Sequence, residues 1–351
     1  MARKPETIFV QIASYRDPQL LLTIDDMLEK AKNPENLSIA ITWQHSPEDE
    51  WDNLDKYSED SRFKIIDTPH EESQGACWAR NLLQQLYDGE TYTLQIDSHT
   101  RFIENWDTEL KKEYKRLVKK GIKKPLITSY APSFEPDNDP ESRIQKPWRM
   151  DFDRFSPDGN VHFLPSTVDD ADERTEPIPA RFYSAHFAFA KGDFVKEVPH
   201  DPDYYFHGEE VSIAVRAFTH GYDLLHPHKI FLWHYYTRRG LKKHWDDHTK
   251  WGERNDGSHK RNRKLLSMDG EVYDPEFFGI YGLGTERTLE DYERYAGLSF
   301  SRRAVQQHTI DKKDAPCPLF ESEEEYQNSY SIPFKHCIDI HFDSVPHDDY
   351  D

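Results

Sequence analysis

The stretch YTLQIDSHTRF, residues 92–102, ends a predicted strand directly on an acidic side chain and an imidazole. Asp97 and His99 stand at this end, and their i, i+2 spacing places both side chains on one side of an extended backbone. In open parallel sheets, ligands bind at the carboxyl ends of the strands. A carboxylate and an imidazole suit Mn²⁺ or Mg²⁺, with phosphates and waters completing the ligand set. The stretch therefore predicts a divalent-metal site at the edge of such a sheet.

The Asp-x-His pair is a weak pattern by itself, because it occurs by chance in many proteins. Alternatively, Asp97 caps the helix that follows or makes a strand-end hydrogen bond. A third ligand has to come from elsewhere, and the histidines of LLHPHKIFLWHYYTRRG are candidates. Among them His234 ends an apolar run, a position in which a histidine more often has a structural role.

The chain before and after this stretch alternates between strand and helix patterns. Strands are predicted at 7–14, 37–43, 63–68, 91–96 and 125–131, and helices at 18–32, 76–90 and 105–120. Short strands that alternate with helices are typical of a mostly parallel sheet covered on both faces. We therefore predict an α/β fold of the nucleotide-binding type.

The second half of the chain is less regular. Residues 132–176 are rich in Pro, Asp and Glu and predict a loop-rich insertion. A long strand is expected at 180–194 and a helix at 208–221. The tail from residue 311 is acidic and irregular, apart from a strand-like piece at 336–342. These patterns predict one domain over residues 1–310 and an acidic extension over 311–351.

Composition limits the partners that the chain can have. The 45 basic residues stand against 65 acidic ones, which gives a net charge of −20. Because nucleic acids and anionic membranes need a basic surface, we expect neither as a partner. The three cysteines are far apart and match no CxxC pattern, so neither a disulfide framework nor a zinc knuckle is indicated.

No targeting or membrane segment is evident in the sequence. The N-terminal residues lack the apolar core of a signal peptide, and no stretch approaches the roughly 18–20 apolar residues of a membrane helix. We expect a cytoplasmic protein without an integral membrane segment.

Five ordered motifs carry a resemblance to a known family: SYRDP, QGACWARN, LQIDSHTRFIENWD, FHGEEVSIAVRAFTHGYDLLHP and LWHYYTR. Between residues 8 and 238 they resemble the cytoplasmic N-acetylglucosaminyltransferases that modify protein hydroxyproline. That family is more distantly similar to the polypeptide N-acetylgalactosaminyltransferases, which also carry an Asp-x-His motif. The resemblance implies a GT-A fold for nucleotide-diphospho-sugar transfer, a UDP-sugar donor, a divalent ion and retention of anomeric configuration.

The resemblance also implies a set of site residues. The metal, Mn²⁺ or Mg²⁺, would be held by Asp97, His99 and His234. The donor-binding residues would be Ser14, Tyr15, Arg16, Asp17, Gly75, Arg80, Asp97, Ser98, His186 and Arg238.

Several of these residues have ordinary alternatives. Arg80 would hold the nucleotide or its phosphates, or else be an exposed helix arginine. Gly75 would let the backbone approach the donor, or only form a turn. His186 would face the sugar or acceptor, or else lie in the core. Arg238 belongs to a basic tract that could offset the charge of a diphosphate.

The two acids of HGEEVSIAVR, Glu209 and Glu210, are the candidate catalytic residues. By the resemblance, one of them faces the donor sugar. Adjacent helical residues point about 100° apart, so only one can do so well, and Glu209 is slightly preferred. Acids are also common in the first turn of any helix.

With this resemblance, the sequence predicts a metal-dependent, retaining glycosyltransferase that moves a sugar from a UDP-sugar to an acceptor hydroxyl, with N-acetylglucosamine favoured as the sugar. The acceptor would be hydroxyproline, Ser or Thr of a protein, or a glycan. Two alternatives stay open: another metal-dependent nucleotide-processing enzyme, and a non-catalytic module that binds nucleotide sugars.

Overall fold

Strands form the centre of the molecule, which we describe from a computed structural model over residues 5–238 and 240–332. Numbered in chain order, the strands are β1 Ile8–Tyr15, β2 Leu37–His45, β3 Phe63–Pro69, β4 Tyr92–Asp97, β5 Thr100–Phe102, β6 Pro125–Thr128, β7 Trp148–Phe155, β8 Val161–Thr167, β9 Ile178–Pro179, β10 Phe187–Lys191, β11 Asp223–His226, β12 Leu232–His234, β13 Leu298–Ser299, β14 Ala304–Gln306 and β15 Tyr330–Ser331.

Helices lie between several of these strands. The α-helices are α1 Leu20–Lys30, α2 Ala76–Gln84, α3 Trp106–Lys119, α4 Phe194–Glu197, α5 Glu209–Thr219, α6 His244–Asp247, α7 Trp251–Leu265, α8 Pro275–Phe278, α9 Leu289–Ala296, α10 Gln307–Ile310 and α11 Glu323–Asn328. Short 3₁₀ turns cover Pro34–Asn36, Asp55–Tyr57, His70–Glu72, Pro136–Asn138 and Gly279–Tyr281.

The main sheet has eight strands in the order β3-β2-β1-β4-β10-β6-β11-β9. β1 to β4 run parallel to one another, and β6 runs parallel to β11. β10 is antiparallel to both of its neighbours, and β9 is antiparallel to β11. The predicted α/β fold with a mostly parallel sheet is confirmed.

Successive side chains of β1 point to opposite faces of the sheet, and both faces are buried. Ile8, Val10 and Ile12 lie in one core cluster with apolar side chains of α1 and α3. Phe9 points the other way and packs with Leu83 of α2. Each such side chain, fully buried, contributes roughly 1.5–3 kcal/mol to folding. Because helices cover both faces, only the strand ends stay open to a ligand.

A short antiparallel pairing brings two distant histidines together. Directly after His99 the chain forms β5, which pairs with β12 so that Thr100 lies opposite His234. The Tyr235 N–H also donates to the carbonyl of His99, at 3.1 Å. A helix was expected here without an intervening strand. The pairing fixes the register that places the two imidazoles side by side.

The segment at 132–176, predicted to be a loop-rich insertion, contains the hairpin β7–β8. Its inward residues Met150 and Phe152 are buried, and the turn at Asp158–Gly159 joins the strands. The flanking Pro and acidic residues obscured this short alternation in the sequence.

The prediction of a long strand at 180–194 is wrong, because only the shorter strand β10 forms there. Upstream of β10, side chains rather than a neighbouring strand satisfy the backbone. Ser184 N donates to the hydroxyl of Thr128, and Ala185 N donates to the carboxylate of Glu210. A chain that is bonded in this way leaves the sheet ladder.

The C-terminal part described forms a small sheet in the order β13-β14-β15. β15 pairs with β14 across the boundary expected at residue 310. The strand predicted at 336–342 lies outside the described residues, as does the rest of 333–351. No helix in the described part of the chain is long and apolar enough to cross a membrane.

Candidate active site

Asp97, His99 and His234 lie together at the carboxyl end of β4. The Oδ2 atom of Asp97 is 3.3 Å from Nε2 of His234 and 3.9 Å from Nε2 of His99. One ligand atom of each residue lies within 4.8 Å of the others. The two imidazole rings are 4.6 Å apart between centroids. The three side chains predicted as metal ligands therefore converge on one point.

The second oxygen of the Asp97 carboxylate is held by Arg80. Its Nη2 donates to Asp97 Oδ1 at 2.7 Å, while its Nη1 donates to both oxygens of Glu209, at 2.8 and 2.6 Å. Arg80 and Glu209 are both buried, so the alternative of an exposed helix arginine is wrong. Burial alone would raise the pKa of Asp97, but Arg80 and the two histidines hold it well below its usual range. Asp97 is thus an anion with Oδ2 turned toward the histidines.

His99 is held from behind by Asp17. Its Nδ1 donates to Oδ2 of Asp17 at 2.6 Å, and the Ser98 hydroxyl donates to the same oxygen at 2.6 Å. A neutral imidazole that donates from Nδ1 keeps a lone pair on Nε2. That lone pair faces Asp97.

His234 packs against a second buried histidine. His186 stacks on it with the rings 4.1 Å apart and 23° from parallel. The Ala131 N–H donates to Nε2 of His186 at 3.0 Å, which fixes that ring. Burial lowers the pKa of His234 to about 4, so its imidazole is neutral near pH 7. His186, a candidate for the sugar or acceptor side, supports His234 from behind.

This donor set fits a divalent cation. One anionic carboxylate and two neutral imidazoles are ligands for Mn²⁺ and related ions. Asp17 supplies the hydrogen bond from behind that metal-binding histidines usually have. Within the described residues, no other group of three histidine, cysteine or acidic side chains comes as close together.

The cavity above this cluster contains eight of the predicted site residues: Tyr15, Gly75, Arg80, Asp97, Ser98, His99, His234 and Arg238. Six others do not line it: Ser14, Arg16, Asp17, His186, Glu209 and Glu210. Among the described residues that line this cavity, Asp97 is the only one with an acidic side chain. The structure thus brings eight of the fourteen predicted site residues together around one cavity.

The β1 end of the cavity is built by side chains that bind one another. Ser14 is fully buried, and its carbonyl accepts from the Gln44 amide at 2.9 Å. Arg16 donates to Asp49 and to Asp247, and the Tyr15 hydroxyl also donates to Asp247. Arg16 therefore ties helix α6 to the end of β1 instead of reaching into the cavity.

Gly75 begins helix α2 on the wall of the cavity. Its φ of +111° and ψ of 176° lie in a region that is essentially reserved for glycine. A Cβ atom there would lie 2.8 Å from the Tyr205 ring, which also lines the cavity. The structure shows a close approach of this glycine to Tyr205, and its approach to the donor stays a prediction.

Several wall residues were missed from the sequence: Ala13, Gln44, Ala76, Tyr205, Phe206, Tyr236, Lys243, His244 and Trp245. Three of them lie in 243–245, beside the basic tract that suggested Arg238. Their signal was the density of aromatic and basic residues after β12. Tyr205 had no signal, because it lies outside the five motifs, whereas Phe206 is the first residue of FHGEEVSIAVRAFTHGYDLLHP.

Glu210 lies on the far side of α5 from Arg80. Its carboxylate accepts from Ala185 N at 2.9 Å and from the Tyr130 hydroxyl at 3.1 Å. Burial and the nearby charge of Glu209 raise the pKa of Glu210 to about 8. Near neutral pH this group therefore carries a proton.

The fold is of the GT-A type, a mostly parallel α/β sheet with a carboxylate–imidazole cluster at its strand ends. The family model described as Glycosyltransferase (GlcNAc) matches residues 7–62 and 52–302, which is more than half of the chain. The protein belongs to this glycosyltransferase family.

Two solved structures are similar to this chain. The structure of GalNAc-T7 with UDP, GalNAc and Mn²⁺ is similar with a TM-score of 0.53 at 14% identity, covering 81% of this chain and 56% of that one. Residues 1–349 of S. aureus TarS in complex with UDP-GlcNAc match with a TM-score of 0.42 at 12% identity, covering 68% and 60%. This chain thus spans little more than half the length of the GalNAc-T7 chain. A search among curated proteins finds no match.

Proposed function

We propose that the protein is a metal-dependent, retaining glycosyltransferase that uses a UDP-sugar, with N-acetylglucosamine as the favoured sugar. The observation that carries this proposal is the convergence of Asp97, His99 and His234 at the floor of a cavity at the strand ends. GalNAc-T7, which has the same fold, was solved with UDP, GalNAc and Mn²⁺.

The same three side chains would hold Mn²⁺ or Mg²⁺. When such an ion is bound, it offsets the negative charge that develops on a leaving diphosphate. Arg238 and Lys243 line the same cavity and add positive charge on its wall. Tyr15, Gly75 and Ser98 form the wall against which the nucleotide would lie.

The transfer step is proposed to occur on the front face of the sugar. Retention needs either a carboxylate nucleophile or attack from the side of the leaving group, whose phosphate then accepts the acceptor's proton. Glu209 is held by Arg80, and Glu210 is held by Tyr130 and Ala185, away from the wall. Asp97 is committed to Arg80 and to the histidines. Because no carboxylate is free on the described wall, we favour the second route.

In this mechanism Glu209 acts through Arg80. By fixing the guanidinium, Glu209 holds Asp97 Oδ1 and so sets the direction of Asp97 Oδ2. The sequence prefers Glu209 as the residue that faces the donor sugar; because Glu209 contacts Arg80 and does not line the cavity, we propose the role through Arg80 in its place.

We propose that the acceptor is a hydroxyl group, with protein hydroxyproline first, then Ser or Thr, then a glycan. The preference for hydroxyproline comes from the motif resemblance. The division into a transferase domain over 1–310 and an extension over 311–351 is also a proposal, as is the cytoplasmic location.

Calorimetric titration tests the donor half of the reaction. UDP, UDP-GlcNAc, UDP-GalNAc and UDP-glucose would be titrated with Mn²⁺ and then with EDTA. We expect binding that needs the metal and is tightest for UDP-GlcNAc. Binding that is equal with EDTA would contradict metal dependence, and hydrolysis of UDP or UTP without sugar transfer would favour another nucleotide-processing enzyme.

The acceptor half needs a separate assay. Transfer from UDP-GlcNAc would be followed by mass spectrometry on matched peptides that carry hydroxyproline, proline or serine at one position, and on free glycans. We expect a gain of one sugar on the hydroxyproline peptide alone. Donor binding without transfer to any acceptor would favour the non-catalytic module.

A further inference from the structure

Asp17 lies behind the metal cluster and does not reach the cavity. Its side chain is fully buried, and it is absent from the cavity wall. A residue in this place cannot contact a bound nucleotide directly. What it does contact is His99, through the 2.6 Å bond between Oδ2 and Nδ1.

We propose that Asp17 is a positioning residue that fixes His99 with its proton on Nδ1 and its Nε2 lone pair facing Asp97 and His234. This proposal rests on the proposed metal site for its consequence, because only Nε2 in that form can serve as a ligand. The donor-binding role inferred from the motif is thereby replaced by a role through His99.

The direction of the Asp17 carboxylate is fixed by its second oxygen. Oδ1 accepts from the backbone N–H of Gln19 at 2.9 Å, in the turn that leads into α1. Oδ2 accepts from His99 and from the Ser98 hydroxyl. The Gln19 N–H and the Ser98 hydroxyl both donate, so the side chain accepts on both of its oxygens, and Nδ1 of His99 meets an acceptor.

Arg238 adds a cation on the same side. Its Nη2 lies 3.8 Å from Oδ2 of Asp17, and Arg238 also lines the cavity. The Gln19 N–H, the Ser98 hydroxyl and this guanidinium all face the Asp17 side chain, which matches a carboxylate that accepts on both of its oxygens.

The substitution Asp17→Asn keeps the shape of the side chain but replaces one acceptor oxygen with a donor NH₂ group. The amide can keep its oxygen on only one side. The Gln19 N–H cannot change from donor to acceptor, whereas the Ser98 hydroxyl can rotate and His99 can move its proton to Nε2. We expect the amide nitrogen to face His99, which then carries its proton on the atom needed for the metal.

Long-range ¹H–¹⁵N correlation spectra of histidine-labelled protein, recorded without metal, read this tautomer directly. We expect the Nδ1–H form for His99 in the wild type and the Nε2–H form in Asp17→Asn. An Nε2–H form in the wild type would overturn the proposal without any variant. An unchanged Nδ1–H form in a folded Asp17→Asn protein would overturn it as well.

Manganese affinity, measured by calorimetry without any nucleotide, gives the second readout. We expect about 10–100-fold weaker binding in Asp17→Asn. Asp60→Asn is the matched control, because it makes the same substitution in a surface turn where Asp60 pairs with Arg62, far from the candidate site; it should keep the Nδ1–H form and wild-type affinity. Equal affinities for wild type and Asp17→Asn would overturn the proposal. A wild type that binds no Mn²⁺ would overturn the metal site instead, and the tautomer would still decide the contact between Asp17 and His99.

Discussion

Arg80 and Glu209 form a buried ion pair in which one guanidinium nitrogen of Arg80 contacts both carboxylate oxygens, at 2.8 and 2.6 Å. The other terminal nitrogen of Arg80 reaches Asp97. Helix α2 and helix α5 are thus joined through the same side chain that fixes the candidate metal ligand. Fold stability and site geometry therefore depend on one contact.

Breaking this pair should destabilise the protein strongly. Arg80→Ala leaves Glu209 as a buried carboxylate without its cation, which typically costs about 3–5 kcal/mol. Urea unfolding followed by circular dichroism measures this loss. Arg80→Ala combined with Glu209→Gln should recover part of it, because the buried charge is gone. A single-variant loss below about 1 kcal/mol would contradict the pairing.

Asp97→Asn should abolish metal binding with little loss of stability. The amide can still accept from Arg80, but it turns its NH₂ group toward the histidines in place of an anionic oxygen. We expect a fall in turnover on the order of 10²–10³ or more, since the bound cation that would stabilise the leaving diphosphate is lost. Asp60→Asn, in a surface turn where Asp60 pairs with Arg62, is the control and should keep wild-type turnover. Wild-type turnover in Asp97→Asn would rule out the metal assignment.

The sequence predicted the sheet and the ends of its strands because these depend on local periodicity. The strand that ends at Asp97 and the helix that carries Arg80 follow from patterns within about 15 residues. The contact between Arg80 and Glu209 joins residues 129 positions apart, and no local pattern records it. For the same reason the sequence places Asp17 among the donor-binding residues, although its side chain contacts His99.

Gly75→Ala should weaken both stability and donor binding. The backbone of Gly75 has φ +111°, and a residue with a side chain in such a region costs about 1–3 kcal/mol. The new methyl group would also displace Tyr205 on the cavity wall. Thermal unfolding and UDP titration measure the two effects.

Gly89→Ala provides the matched control for this change. Gly89 also has a positive φ, +83°, but a Cβ atom there would meet nothing within 4 Å. It should lose stability through backbone strain alone and keep the wild-type affinity for UDP. Equal UDP affinities in the two variants would show that Tyr205 plays no part in donor binding.

Glu210 should make the protein less stable as the pH rises. Its pKa in the folded protein is raised to about 8, above the ordinary value of 4.5, by burial and by the charge of Glu209. Between about pH 4.5 and 8 the unfolded chain releases this proton while the folded protein keeps it, so the free energy of unfolding falls across that window. Glu210→Gln carries no titrating proton and should lack this fall. Urea unfolding measures this difference. Relative to the wild type, Glu210→Gln should have a larger free energy of unfolding at pH 8 than at pH 5.

Tyr130→Phe is the control for this prediction. It removes one donor to Glu210 but leaves the proton on Glu210, so the fall in the free energy of unfolding should persist there. If the free energies of unfolding of wild type and Glu210→Gln differ by the same amount at both pH values, Glu210 is already ionised in the folded protein.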